Sequence, residues 1–299
     1  MNINDSKIDT MYEAYLNSLP ENTEQIYLSN KGITSLDVTR FKNLKILECE
    51  HNKLTCLHLN TNLQSLRCSH NQLTSLQLNE KLETLYCSCN HLTSLQLNEK
   101  LETLYCSYNQ LSSLQLNENL SQLYCDCNQL TCLHLNENLK DLYCRNNQLT
   151  CLHLNTNLKN LYCRNNQLIS LHLNDKLEVL YCSNNQLSSL QLNEKLQYLS
   201  CSNNKLTSLQ LNEKLRILEY ICNPIFEIIN SYDKDIINQK LRVLNQFRYL
   251  YYCLKYKKRF RDLLWIKIRE PKIRERYSHD YLVANLHEDT DLDYVLENW

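Results

Sequence analysis

The sequence predicts an α/β solenoid. A curved parallel β-sheet forms one side, a mostly extended convex arc forms the other, and an α-helical module follows at the C-terminal end. Three observations carry this. Leucine recurs every 19 residues, at Leu44, Leu63, Leu82, Leu101, Leu120, Leu139, Leu158, Leu177, Leu196 and Leu215, with no insertion or slip. An asparagine keeps the same register from Asn52 to Asn223. Beyond Asn223 the register stops, and apolar residues spaced by three or four take over. Strict self-similarity at a short period marks stacked copies of one supersecondary unit.

With the recurring leucine as position 1, the unit reads L-x-x-L-x-C-x-x-N-x-L-x-x-L-x-L-N-x-x. One copy is Leu101, Leu104, Cys106, Asn109, Leu111, Leu114, Leu116 and Asn117. Residues 1–22 lie ahead of the pattern and are expected to form a helical cap, with the solenoid over 23–223 and the C-terminal module over 224–299. The first unit is atypical, as terminal repeats are. Ile26, Leu28, Ile33, Leu36 and Val38 keep register, but Lys31 stands at the asparagine position and the unit is two residues longer.

Positions 3 to 7 predict a short parallel strand. Position 4 leucine and position 6 cysteine face inward, while 3, 5 and 7 face the concave side. Leucines at 1, 11, 14 and 16 are expected to complete the core. Nineteen residues leave little room for a helix on the return arc, so extended or tight-turn backbone is expected there. The position 9 asparagine meets the backbone polar groups that the bend would otherwise strand, because an amide both donates and accepts. A second asparagine column at position 17 runs from Asn60 to Asn212. Asparagine tolerates left-handed backbone, so this column is expected to make the turn that a glycine would make elsewhere.

The chain has a single glycine, Gly32. This excludes G-x-G-x-x-G, Walker-type and G-x-S-x-G chemistry. Nine of the sixteen cysteines occupy position 6, from Cys49 to Cys201. They read as small buried hydrophobes. Paired C-x-x-C knuckles of a zinc ribbon are absent, so no metal or cofactor is expected. The first residues lack a basic segment followed by an apolar run, so reduced thiols and an intracellular place are expected. No membrane span is expected.

Position 5 holds Tyr86, Tyr105, Tyr124, Tyr143, Tyr162 and Tyr181 in six successive repeats, and position 7 adds Asp126, Arg145 and Arg164. Tyrosine and arginine dominate protein-binding hot spots. The same tyrosines also suit simple cross-strand stabilisation. In the C-terminal region, Ile237, Leu241, Leu244, Phe247, Tyr251 and Leu254 predict one amphipathic helix, and Phe260, Leu263, Leu264 and Ile268 a second that ends or kinks at Pro271. Short helices are expected after Ser278 and Thr290. Residues 234–276 carry fourteen Lys and Arg against four Asp and Glu, while 277–299 carry six acidic residues and no Lys or Arg.

The repeat resembles the leucine-rich repeat, whose pattern is L-x-x-L-x-L-x-x-N/C-x-L, over residues 23–223. The stretch from Phe260 through Trp265 and Pro271 to Tyr277, with Tyr281, Leu282 and the run Asp291–Trp299, resembles a C-terminal module of mimivirus-type giant-virus proteins. That resemblance implies no known activity. The expected function is therefore a non-enzymatic scaffold that binds a protein of the host or the virus on its concave face, without nucleic acid. A role as adaptor or ligase-like component in ubiquitin transfer is the alternative. Against it, the only cysteine of the C-terminal module, Cys253, lacks an acidic residue two places on. Nucleic-acid binding through basic residues 255–276 is a third reading.

Overall fold

A computed structural model describes residues 3–264 and 271. The chain forms two compact units, Met1–Ile237 and Asn238–Trp299. Helix α1 (Ile3–Ser18) precedes strands β1 (Gln25–Tyr27), β2 (Ser35–Asp37), β3 (Ile46–Glu48), β4 (Cys56–His58) and β5 (Ser65–Arg67). Strands β6 to β13 follow at one per repeat, from Thr84–Tyr86 to Ile217–Glu219. Every strand but β2 and β4 joins one parallel eleven-stranded sheet, paired in strict register, as in Tyr124↔Tyr143 and Leu123↔Leu142. Position 4 is buried and positions 3 and 5 are half-exposed in strands β6 to β11.

The return arc is extended, as the short repeat requires. It pairs only locally, as the two-stranded β2–β4 sheet and as bridges at His134↔His153 and Gln191↔Gln210. Backbone links there loosen to 3.5 Å at Thr150–Thr131, against 2.7 Å at Cys125–Tyr143 on the sheet side. An outer arc spread wider than the inner one accounts for the difference.

Leucines at positions 1, 4 and 11 and the cysteines at 6 have no exposure in the middle repeats, as at Leu101, Leu104, Cys106 and Leu111. Position 16 differs from expectation: Leu78, Leu97 and Leu116 are half-buried rather than part of the closed core.

The position 9 amide ladder forms as expected. Asn128 donates to the carbonyls of Cys106 (3.0 Å) and Cys125 (3.2 Å) and accepts from the backbone N–H of Leu111 (3.0 Å). The turn assignment is corrected. Positive φ occurs at position 8, not 17: His51, His70, Cys89, Tyr108, Cys127, Asn146, Asn165, Asn184 and Asn203 lie between +52° and +57°. Position 17 instead builds a second amide ladder. Asn98 donates to the carbonyls of Asn79 (2.6 Å) and Leu82 (2.9 Å) and accepts from Leu101 (2.9 Å). Only its two ends are imperfect: the side-chain oxygens of Asn60 and Asn212 are buried without a hydrogen bond among the described residues.

The ends of the stack are closed by different means. Asp9 of α1 accepts from the Thr34 backbone (2.8 Å), and Ile8 lies 3.7 Å from where a side chain on Gly32 would begin. Gly32 itself has φ +73°, which explains the glycine. In the last repeat Tyr220 replaces the position 6 cysteine. It is buried, donates to the Ser231 carbonyl (2.7 Å) and meets the edge of Phe226 at 5.3 Å. Phe226 belongs to α2 (Pro224–Ile229), which starts on a proline and stops at left-handed Asn230.

Helix α3 (Lys234–Leu264) is continuous. It takes in both expected helices, since Phe260, Leu263 and Leu264 simply prolong the first one. No glycine or proline interrupts the stretch. Ile268, the surroundings of Pro271, the helices expected after Ser278 and Thr290, and nearly all of the giant-virus-like segment lie outside the described residues. Among the described residues no helix is long and apolar enough to cross a membrane.

Candidate protein-binding face

Six tyrosines project from β6 to β11 on one face, and the register brings them into a continuous stack. Successive ring centroids are 4.4, 4.0, 4.2, 4.2 and 4.9 Å apart from Tyr86 to Tyr181, with planes within 13° of parallel. Strands repeat at about 4.8 Å. The first four spacings are shorter, so the side chains converge, as they do on the inner side of a bend. Burial, with the neighbouring phenols beside them, pushes the Tyr124 and Tyr162 hydroxyls above the usual range.

One arginine covers the open ring face at the first end of the stack, and a second lies against its middle. Arg67 lies 4.5 Å over Tyr86 at the first end of the stack, and Glu48 approaches its guanidinium at 3.7 Å. Arg145 lies 4.7 Å over Tyr162 and 5.5 Å over Tyr143. Asp126 accepts from the Arg145 backbone N–H at 2.6 Å. Burial raises its carboxyl, and the Arg145 N–H and guanidinium oppose the rise. Arg164 is exposed and joins none of these contacts. The sequence reading thus placed Tyr86 to Tyr181, Asp126 and Arg145 in one cluster. It missed the capping role of Arg67 and the Asn160–Asp141 side-chain bond (2.5 Å) between β9 and β10. Repeat register could have found both, since Arg67 and Asp141 occupy positions 5 and 3.

The cysteine column lies behind this face. Burial holds its thiols well above the ordinary value, to about 12 for Cys106, Cys163 and Cys201. Such thiols are poor nucleophiles and poor ligands. The fifteen cysteines whose state is described are free thiols. Among the described residues no three metal-ligating side chains gather.

No protein-family model matches the chain, and neither does any curated protein. Solved structures do. YopM from Yersinia enterocolitica WA-314 is similar at 27% identity and a TM-score of 0.60, over 69% of this chain and 52% of that one. The functional domain of InlJ from Listeria monocytogenes, which includes a cysteine ladder, is similar at 30% identity and a TM-score of 0.65, over 74% and 57%. The chain therefore spans little more than half of either. A complex of latrophilin 3, Unc5D and the leucine-rich-repeat protein FLRT2 matches at 21% identity and a TM-score of 0.56, over 73% and 83%, which speaks to fold. With its 19-residue unit, in-register parallel strands and asparagine ladder set beside these likenesses, the chain has the leucine-rich-repeat solenoid fold.

Proposed function

We propose that the chain is an interaction scaffold that receives a protein partner against its tyrosine-bearing face and performs no chemistry of its own. One observation carries this reading. Six stacked rings, flanked by Arg67, Arg145 and Arg164, present a rigid surface rich in the residues that dominate interface energetics. Rings already locked by their neighbours lose little freedom on binding, which favours affinity. The likeness of the last residues to a giant-virus module supports an origin in such a virus, and with it a partner from the virus or its host cell.

A photo-crosslinking side chain at Arg164, on the tyrosine face, is expected to capture a partner protein. The same group at His153, exposed on the opposite arc, is expected not to. Capture from His153 alone would refute the assignment of the face.

A further inference from the structure

The tyrosine face is not uniform in charge. Two adjacent repeats hold a cluster of cations. Lys140 and Lys159 precede strands β9 and β10, and Arg145 and Arg164 follow them. The backbone register puts like beside like, with Lys159 N–H donating to the Lys140 carbonyl (2.9 Å) and Asn146 N–H to the Arg164 carbonyl (2.9 Å). Tyr143 and Tyr162 lie between the two pairs. Lys140, Lys159 and Arg164 are exposed, and none of the three forms an ion pair among the described residues.

The cluster has clear limits. The same positions carry Glu83, Glu102, Ser88 and Ser107 toward the N-terminus, and Glu178, Gln197, Ser183 and Ser202 toward the C-terminus. Like charges opposite one another on neighbouring strands repel. The carboxylates within the cluster are already engaged: Asp126 accepts from the Arg145 backbone and Asp141 from the Asn160 amide. An anion brought by a partner would relieve the repulsion.

The stack also decides what kind of anion fits. The rings are face to face, so within the band the faces of Tyr143 and Tyr162 meet neighbouring rings and Arg145, and the face left open among the described residues is the outer one of Tyr181, beyond the band and beside Ser200. A nucleic-acid base needs an open ring face to stack on. What the stack turns outward is ring edges, which are electropositive, and phenol groups able to donate. Edges, phenols and unpaired cations all complement carboxylates.

We propose that the cationic band across the Tyr143 and Tyr162 repeats receives a carboxylate-rich peptide segment of the partner protein, its acidic side chains paired with Lys140, Lys159, Arg145 and Arg164. This rests on the scaffold reading above and gives the partner its chemistry.

The test uses the full chain with fluorescent octa-glutamate, octa-lysine and oligo-deoxythymidine probes, read by polarisation over a salt series. Octa-glutamate is expected to bind, and more weakly as salt rises. Joint Lys140→Gln and Lys159→Gln changes, which remove repulsion and so preserve folding, together with Arg145→Gln and Arg164→Gln, are expected to weaken it about tenfold or more. Lys257→Gln with Lys258→Gln, in the basic C-terminal helix, is expected to leave it unchanged. Equal affinity in all variants, or loss only with the Lys257 and Lys258 pair, overturns the proposal. Oligo-deoxythymidine bound more tightly than the peptide, and released by the same four changes, would make the band a nucleic-acid site instead. Crosslinking from Arg164 separates the two readings. Capture from position 164 that persists when Lys140→Gln, Lys159→Gln and Arg145→Gln are added sinks the acidic partner alone, whereas no capture from that position without those changes sinks the scaffold as well.

Discussion

The ring of Tyr124 lies 4.0 Å from that of Tyr105, with the planes 8° apart. It is the tightest approach in the stack, and on its other side Tyr124 meets Tyr143 at 4.2 Å. Each well-formed aromatic pair contributes roughly 0.5–1.5 kcal/mol beyond burial. Tyr124→Leu breaks two such pairs and is expected to destabilise the solenoid by about 1–3 kcal/mol. Tyr181→Leu breaks one, the widest, and is expected to cost less. Urea denaturation of the two variants checks the order. An equal loss at both sites would mean that the stack adds little to stability.

Asn128 bonds the carbonyls of Cys106 and Cys125, which also accept from Asn109 and Asn147, and the backbone N–H of Leu111. Leucine is similar in size and can serve none of them. Asn128→Leu is expected to cost about 1–3 kcal/mol. The half-buried Asn117, nearer to water, is expected to tolerate the same change better. Denaturation midpoints that rank the two the other way would place the main ladder on the outer arc.

Tyr108 holds φ +56° at the left-handed position. A β-branched residue is strained there, while asparagine is tolerated. Tyr108→Asn is expected to be more stable than Tyr108→Val, by on the order of 1–2 kcal/mol. Thermal melting of the pair measures the gap, and its absence would show that the turn relaxes.

The buried thiols make stability fall in alkali. Their folded values lie above the ordinary value, at about 12 for Cys106, Cys163 and Cys201. An acid that is harder to ionise when folded leaves stability intact below the unfolded value and removes it as pH rises from there through the folded value. The loss therefore runs from about pH 9 to about pH 12, at roughly 1.4 kcal/mol per thiol for each pH unit. Urea midpoints at pH 8 and pH 10 are expected to differ sharply. A thiol reagent at pH 8 is expected to modify exposed Cys56, Cys132, Cys151 and Cys222 first.

Whatever repeats by identity could be read in advance. Strand register, the cysteine column and the amide ladder follow from columns of one residue type, since inward geometry accepts only a narrow range of side chains. The left-handed turn was hidden because position 8 is occupied by His, Cys, Tyr and Asn in different repeats. What they share is a backbone angle, and an exposed side chain leaves composition free. The asparagines at 17 suggested a turn because asparagine suits both a left-handed bend and a hydrogen-bonded bridge, and composition does not distinguish the two. Tyr86 to Tyr181 could be grouped from sequence. The Lys140 and Lys159 pair was overlooked, because each looks like an ordinary solvated charge until register sets them side by side.

The orphaned oxygens of Asn60 and Asn212 belong to the first and last members of one column. The oxygen of every asparagine between them accepts from a backbone N–H two or three residues on, as Asn98 does from Leu101 and Asn174 from Lys176. The energetic defects therefore belong to the boundaries, whatever the number of copies enclosed. Duplicating an internal 19-residue block would lengthen the surface by one tyrosine without creating a new fault. Growth by copying is then close to neutral for folding, and the reach of the binding face is free to change faster than its architecture.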